Sequence, residues 1–168
     1  MEDQQFKIVL VGAQKAGKSA FIERFQAGTF SSKYTRTLES AFIEKYIKME
    51  NNNHAMFRLW VFSGNERIRP LLDTFFPGTH AAVICYDINN RESFTEMSYW
   101  YNELVRLCPE AMIFLMGCKN DLRGAASVLE SQGLQQAAAW NGVHLLSSAQ
   151  TGEGVDEAVN IIVKKITG

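Results

Sequence analysis

Gly12-Ala13-Gln14-Lys15-Ala16-Gly17-Lys18-Ser19 reads G-x-x-x-x-G-K-S and directly follows the apolar run Phe6-Lys7-Ile8-Val9-Leu10-Val11. A buried strand feeding a glycine-rich turn and then a helix lets successive backbone N–H groups curl around a phosphate. The helix that follows presents its positive end to the same anion. Lys18 is placed to reach the terminal phosphates, and the Ser19 hydroxyl to bind Mg²⁺. A glycine turn with a chance lysine would not explain strand, spacing and Ser19 together. Gly12, Gln14, Lys15, Ala16, Gly17, Lys18, Ser19 and Ala20 are therefore the expected contacts to a nucleoside triphosphate.

The bulk numbers fit that reading. A chain of 168 residues suits one domain, 1–168, large enough to bury a core without staples. Its 46% apolar and 21% charged residues are ordinary for a soluble globular protein. Lys and Arg total 17 against 18 Asp and Glu, so no overall field favours nucleic acid or an anionic membrane. Cys85, Cys108 and Cys118 have neither disulfide nor zinc spacing, which points to a reducing, cytoplasmic setting. No apolar run approaches bilayer length, and the polar start Met1-Glu2-Asp3-Gln4-Gln5 is no signal peptide. No membrane contact is expected from this segment itself.

Strand-like and helix-like segments alternate, which predicts an α/β fold with helices on both faces of a mostly parallel sheet. The first strand is expected over roughly residues 5–11, with a helix from Lys18 turning Phe21, Ile22 and Phe25 inward. Residues 27–39 are polar and predict a mobile loop. Two strands, Ala41–Met49 and Ala55–Phe62, flank Glu50-Asn51-Asn52-Asn53, a turn signal that predicts an antiparallel hairpin. Residues 81–86 and 111–116 read as buried strands. Between them Phe94, Met97, Tyr101, Leu104 and Cys108 recur at helical spacing until Pro109. Val143–Leu146 reads as the last strand, and Val155, Ala158, Val159, Ile162 and Ile166 mark a final helix. The sheet should hold six strands, one of them an antiparallel edge strand. Ligands then bind beyond the carboxyl ends of the strands, where the glycine loop already lies.

Cys118-Lys119-Asn120-Asp121 follows a predicted strand and emerges at that same edge. A carboxylate there accepts two hydrogen bonds from the N1–H and exocyclic amine of guanine. Adenine lacks that donor pair and would leave Asp121 unpaired. The stem of Lys119 can cover the base, and Ser148-Ala149 can add a backbone donor to the guanine O6. A solvated turn is the alternative for a lone K-x-D, but not for one coupled to a phosphate loop and a following Ser-Ala. An adenine-nucleotide kinase would give Asp121 no role.

On these residues the chain resembles the Ras superfamily of small GTPases, and the Rab branch most closely, over nearly its whole length. Tyr86-Asp87-Ile88-Asn89-Asn90-Arg91-Glu92-Ser93-Phe94, Trp60, Gly64-Asn65-Glu66-Arg67 and Ser148-Ala149-Gln150-Thr151-Gly152-Glu153-Gly154-Val155 all look Rab-like. The resemblance implies a guanine-nucleotide switch using GTP, GDP and Mg²⁺, monomeric, acting in vesicle trafficking. It implies Phe30 packing on guanine, and Thr37 joining Ser19 at the metal and meeting the γ-phosphate. Lys18, Thr37, Gly64 and Asn65 become the catalytic set. Cys118, Lys119, Asp121, Ser148, Ala149 and Gln150 become the base site. Effectors and regulators are expected at Thr37–Phe42, Trp60 and Phe75, although Phe42, Trp60 and Phe75 also suit plain core packing. Leu38-Glu39 after Thr37 looks more like Ras than Rab. Rab proteins usually continue into a lipidated tail, so membrane attachment requires a tail beyond Gly168. His54, His80 and His144 carry no motif and read as structural.

Five departures from the family pattern bear on activity. Val61 stands where an aspartate holds Mg²⁺ through water, and it accepts no hydrogen bond; such losses typically cost about 10–100-fold in metal affinity. Asn65 stands where a glutamine orients the attacking water, shortening its reach by roughly 1.5 Å. A misplacement of that order costs about 10²-fold in rate, unless the loop moves inward. Gln14 lies where Ras has a glycine that admits an arginine finger. Cys118 and Gln150 replace the asparagine and lysine of the base motifs, which weakens affinity and spares the choice of guanine. Two readings stay open: a working but slow GTPase, and a pseudo-GTPase serving as a nucleotide-stabilised interaction module.

Overall fold

Alternation along the first strand decides how the layers stack. In the computed structural model, which describes residues 4–27 and 40–168, strand β1 (Gln4–Gly12) sends Ile8 and Leu10 into one buried cluster and Val9 and Val11 into another. A strand apolar on both faces belongs in the middle of a covered sheet. The strands are ordered β2 (Ser40–Lys48), β3 (His54–Phe62), β1, β4 (Ala81–Asp87), β5 (Met112–Cys118) and β6 (Val143–Leu146). β2 pairs antiparallel with β3, and all other neighbours are parallel. The predicted six-stranded sheet with one antiparallel edge is therefore present.

Helices α1 (Lys18–Ala27) and α5 (Val155–Thr167) cover one face, where Phe21, Ile22, Val159 and Ile162 meet Leu10, Phe57, Val83 and Phe114. The other face is covered by α2 (Leu72–Phe75), α3 (Arg91–Leu107) and α4 (Glu130–Ala139), with Leu72, Met97, Trp100, Leu104 and Ala137 against Val9, Ile84 and Leu115. The stripe of α3 differs from the predicted one. Trp100, fully buried, lies on the inward side with Met97 and Leu104, as a period of 3.6 requires. Tyr101 instead stacks on Trp140, ring centroids 4.4 Å apart. The helix stops at Leu107, and the Cys108 N–H closes it on the Leu104 carbonyl at 2.8 Å.

The predicted hairpin forms between β2 and β3. Its asparagine turn closes through the Met49 N–H on the Asn53 carbonyl at 2.7 Å, with Asn52 in the left-handed region at φ 64°. Asparagine tolerates that conformation better than most residues. α4 has no counterpart in the sequence reading, because it buries only Gly133 and Ala137 and shows no apolar stripe. The predicted loop over 27–39 falls, apart from Ala27, outside the described residues, as do Phe30, Thr37, Leu38 and Glu39. Among the described residues no helix is long and apolar enough to cross a membrane.

Candidate functional site

The glycine loop is built against the ends of two neighbouring strands. A Cβ on Gly12 (φ +137°) would lie 2.2 Å from the Cys85 carbonyl oxygen, so only glycine permits this approach. Gly17 (φ +111°) sits over Cys118, whose Cβ would be 3.0 Å from an added side chain. Lys15 adopts the left-handed region at φ 62°, an uncommon conformation for a side-chain-bearing residue. Strain of this kind clusters at ligand clamps. Ala16 is buried beneath the loop, Gln14 and Lys15 are exposed, and Ser19 and Ala20 are half-buried. Lys18 curls back so that Nζ donates to the Gly12 and Ala13 carbonyls at 2.8 and 2.6 Å. Burial lowers its pKa. The Phe21 N–H on the Gly17 carbonyl, 2.9 Å, starts α1 directly behind the loop.

The segment after β3 uses its polar atoms on itself. Val61 is 1% exposed and packs in the cluster that holds Ala16, Phe21 and Ile22. Gly64 presses on the glycine loop: a Cβ there would stand 2.2 Å from the Gln14 nitrogen. The Asn65 N–H donates to Ser63 Oγ at 3.1 Å, and Asn65 Oδ1 accepts the Arg67 N–H at 3.1 Å. The Asn65 amide oxygen is thus spent capping the 3₁₀ turn Glu66–Leu71. Between this segment and the start of α3 opens a cleft of about 1210 Å³, bordered by Gln14, Gly64, Asn65, Asn90, Arg91 and Glu96. Burial raises the Glu96 carboxyl pKa, opposed by Arg69 at 3.9 Å. Neither Asn90 nor Glu96 had a sequence signal for this cleft. Asn90 Oδ1 accepts the Glu92 and Ser93 N–H groups and so caps α3.

At the ends of β5 and β6 the polar atoms are bound to one another across loops. Lys119, left-handed at φ 62°, sends Nζ to the Lys15 carbonyl at 2.9 Å and to Asp87 Oδ2 at 3.0 Å. Ser148, 1% exposed, donates from Oγ to Asp121 Oδ1 at 2.8 Å and accepts the Thr151 N–H at 3.2 Å. The Asn120 N–H binds the Ser147 carbonyl at 3.1 Å, so the two loops are stitched together. Arg24 of α1 donates to the Thr151 carbonyl at 3.1 Å and steadies the second loop. Ala149 is half-buried and Gln150 exposed at its rim. Cys118 is buried under Gly17; the neighbouring Cys85 thiol lowers its pKa, and the same contact raises that of Cys85. The sequence reading has Asp87 only as part of the Rab-like stretch 86–94; its partnership with Lys119 has no sequence signal, since an acidic residue at the end of a strand carries no pattern of its own.

Because β1, β5 and β6 run parallel, residues 12–20, 118–121 and 148–150 share one edge of the sheet. Phe42, Trp60 and Phe75 also come together, with centroids 4.6 Å apart for Phe42–Trp60 and 5.5 Å for Trp60–Phe75. Phe42 is 44% exposed, so the cluster reaches the surface.

A sequence model of the Ras family matches residues 7–168. The chain belongs to the Ras family. Two relatives from Dictyostelium discoideum mark it as Rab-like. Ras-related protein RabC is 30% identical over 167 residues, which cover 98% of this chain and 85% of the relative. Ras-related protein Rab-5A is 35% identical over 164 residues, covering 96% and 81%. Small GTPases of this family bind guanine nucleotides with Mg²⁺. The glycine cradle of this member fits such a nucleotide. For Mg²⁺, half-buried Ser19 at the start of α1 would offer a hydroxyl, whereas the Val61 side chain lies in the apolar cluster and carries no acceptor.

Proposed function

We propose that this Rab-like chain is a single-domain guanine-nucleotide switch whose hydrolysis and metal binding are both weakened. The observation that carries the reading is the Ser148–Asp121 hydrogen bond of 2.8 Å, which holds a carboxylate at the edge where the glycine loop lies. That carboxylate accepts the guanine N1–H and amine, with Lys119 over the base and the Ala149 N–H toward O6. Phe30, outside the described residues, packs on the same base. Gly12, Gln14–Ala20 and Gly64 enclose the phosphates, and Lys18 exchanges its two carbonyl partners for phosphate oxygens. Ser19, with Thr37 outside the described residues, would hold Mg²⁺, which neutralises charge developing on the phosphates. Cys118 and Gln150 line the base site without replacing the polar contacts of the family motif.

Asn65 supports slow turnover on two grounds. Its side chain is one methylene short, and its oxygen is committed to the Arg67 N–H. Gln14 adds bulk at the place where a partner's arginine would enter. The same residues favour a second reading, a pseudo-GTPase that holds nucleotide as a structural core and acts through its surface. In either case effectors dock on Thr37–Phe42, Trp60 and Phe75, and a role in vesicle trafficking follows from likeness to Rab proteins.

Single-turnover GTP hydrolysis, with and without Mg²⁺, separates the readings. The expected result is slow, weakly Mg²⁺-dependent turnover that Asn65→Gln accelerates. A rate typical of the family that neither Asn65→Gln nor Val61→Asp improves would sink the claim of damage. Equal binding of ATP and GTP would sink the role of Asp121.

A further inference from the structure

His144 carries no motif, yet it lies in one of the tightest places in the molecule. The Tyr86 hydroxyl on β4 and His144 Nε2 on β6 are 2.7 Å apart. β5 runs between these two strands, so the phenol must cross it. The crossing happens at Gly117, the β5 residue in register with Tyr86. A Cβ there would stand 2.9 Å from the Tyr86 oxygen. From above, α4 brings Gly133, where a Cβ would lie 2.3 Å from His144 Nε2 and 2.7 Å from the Tyr86 oxygen. Glycine weakens a helix interior, so its presence at 133 reflects room given to this pair. Phe94 of α3 meets the Tyr86 ring edge-on at 5.1 Å. Two glycines on two elements thus clear a passage for one hydrogen bond.

The pair stands directly behind the base loops. Tyr86 precedes Asp87, the partner of Lys119, and Gly117 precedes Cys118 and Lys119. His144 lies on the short strand that leads into Ser147 and Ser148, which hold Asn120 and Asp121. We propose that Tyr86 and His144 are positioning residues for guanine recognition, their hydrogen bond fixing the spacing between the Lys119–Asp121 loop and the Ser148 loop. This rests on the guanine-nucleotide reading and deepens it. A phenylalanine at position 86 would fill the same volume, so the hydroxyl serves the bond and not the packing. The groups felt at the pair are Glu130 of α4, Arg123 beyond Asp121, and Cys118 of β5. Burial holds the imidazole pKa below its ordinary value, Glu130 opposing and Arg123 reinforcing the effect. His144 is therefore neutral near pH 7, and its Nε2 accepts from the Tyr86 hydroxyl when Nδ1 carries the proton.

The test compares the whole chain with Tyr86→Phe, His144→Phe and His144→Gln. The readouts are release of a fluorescent GDP analogue and the affinity ratio of GDP to IDP, which lacks the exocyclic amine that Asp121 accepts. Tyr86→Phe and His144→Phe should release GDP roughly tenfold faster, the effect of an unpaired buried polar group, and lose most of the preference for GDP over IDP. His144→Gln, which keeps an acceptor, should recover part of both. Because burial holds the His144 pKa below its ordinary value, wild-type release should quicken only as pH falls beneath the usual histidine range, where the imidazole gains its proton, while His144→Phe stays flat. Wild-type GDP preference with unchanged ratios in variants that melt normally would overturn the brace alone. Failure of the wild type to bind either nucleotide would overturn the guanine reading and the brace with it.

Discussion

The loops at residues 12–20, 118–121 and 148–151 and the segment at residues 61–67 border the same sheet edge, but they spend their hydrogen bonds differently. The loops join to each other. Lys119 reaches Lys15, Ser148 reaches Asp121, and Asn120 reaches Ser147. The segment closes on itself, Asn65 to Ser63 and Arg67 to Asn65, while Val61 sinks into the core. Contacts between loops pre-form a shape, which lowers the ordering cost that a ligand would otherwise meet. Catalysis needs an unspent polar atom aimed at the reacting centre, and removing that atom costs rate more than affinity.

Substitutions on each side of this divide should behave oppositely. The largest effect belongs to the gripping side. Lys18→Ala removes charge-assisted contacts to phosphate and should weaken GDP binding on the order of 100-fold or more, read by calorimetry. Unchanged affinity would show that the lysine stays on its carbonyls and never turns to the nucleotide. Asn65→Gln restores reach on the other side. Single-turnover hydrolysis should rise by up to about 10²-fold with little change in GDP affinity. A matching change in affinity would blur the comparison. Val61→Asp should tighten Mg²⁺ in the nucleotide complex by about 10–100-fold, seen by metal titration. The nucleotide-free protein should melt lower, since the new carboxylate enters an apolar cluster. The smallest effect is expected between the two regions. Asn90→Ala removes the α3 cap and should cost about 1 kcal/mol of stability in denaturant unfolding, with GDP affinity unchanged. A loss of affinity there would extend the gripping region into α3.

Much of the gripping region was legible in the sequence because its chemistry is local. Gly12, Gly17, Lys18 and Ser19 sit within eight residues, and the continuous apolar run Ile8, Val9, Leu10, Val11 announces a buried strand. The hairpin was readable from three asparagines in a row. What stayed hidden depends on residues far apart in the chain. Asp87 gains its meaning only when β4 lies beside β5, and His144 only when Gly117 and Gly133 open a path to Tyr86. α4 escaped notice because glycine and alanine pack without leaving an apolar stripe. The self-capping of Asn65 was equally invisible, since an asparagine before a charged pair serves a turn or a ligand with equal ease.

Lys119 has one further implication. Its ammonium fastens the loop at residues 118–121 to the glycine loop, through the Lys15 carbonyl on one side and Asp87 on the other. On the guanine-nucleotide reading proposed above, a regulator that displaced residues 12–20 would also loosen residues 118–121, because one ammonium ties the two.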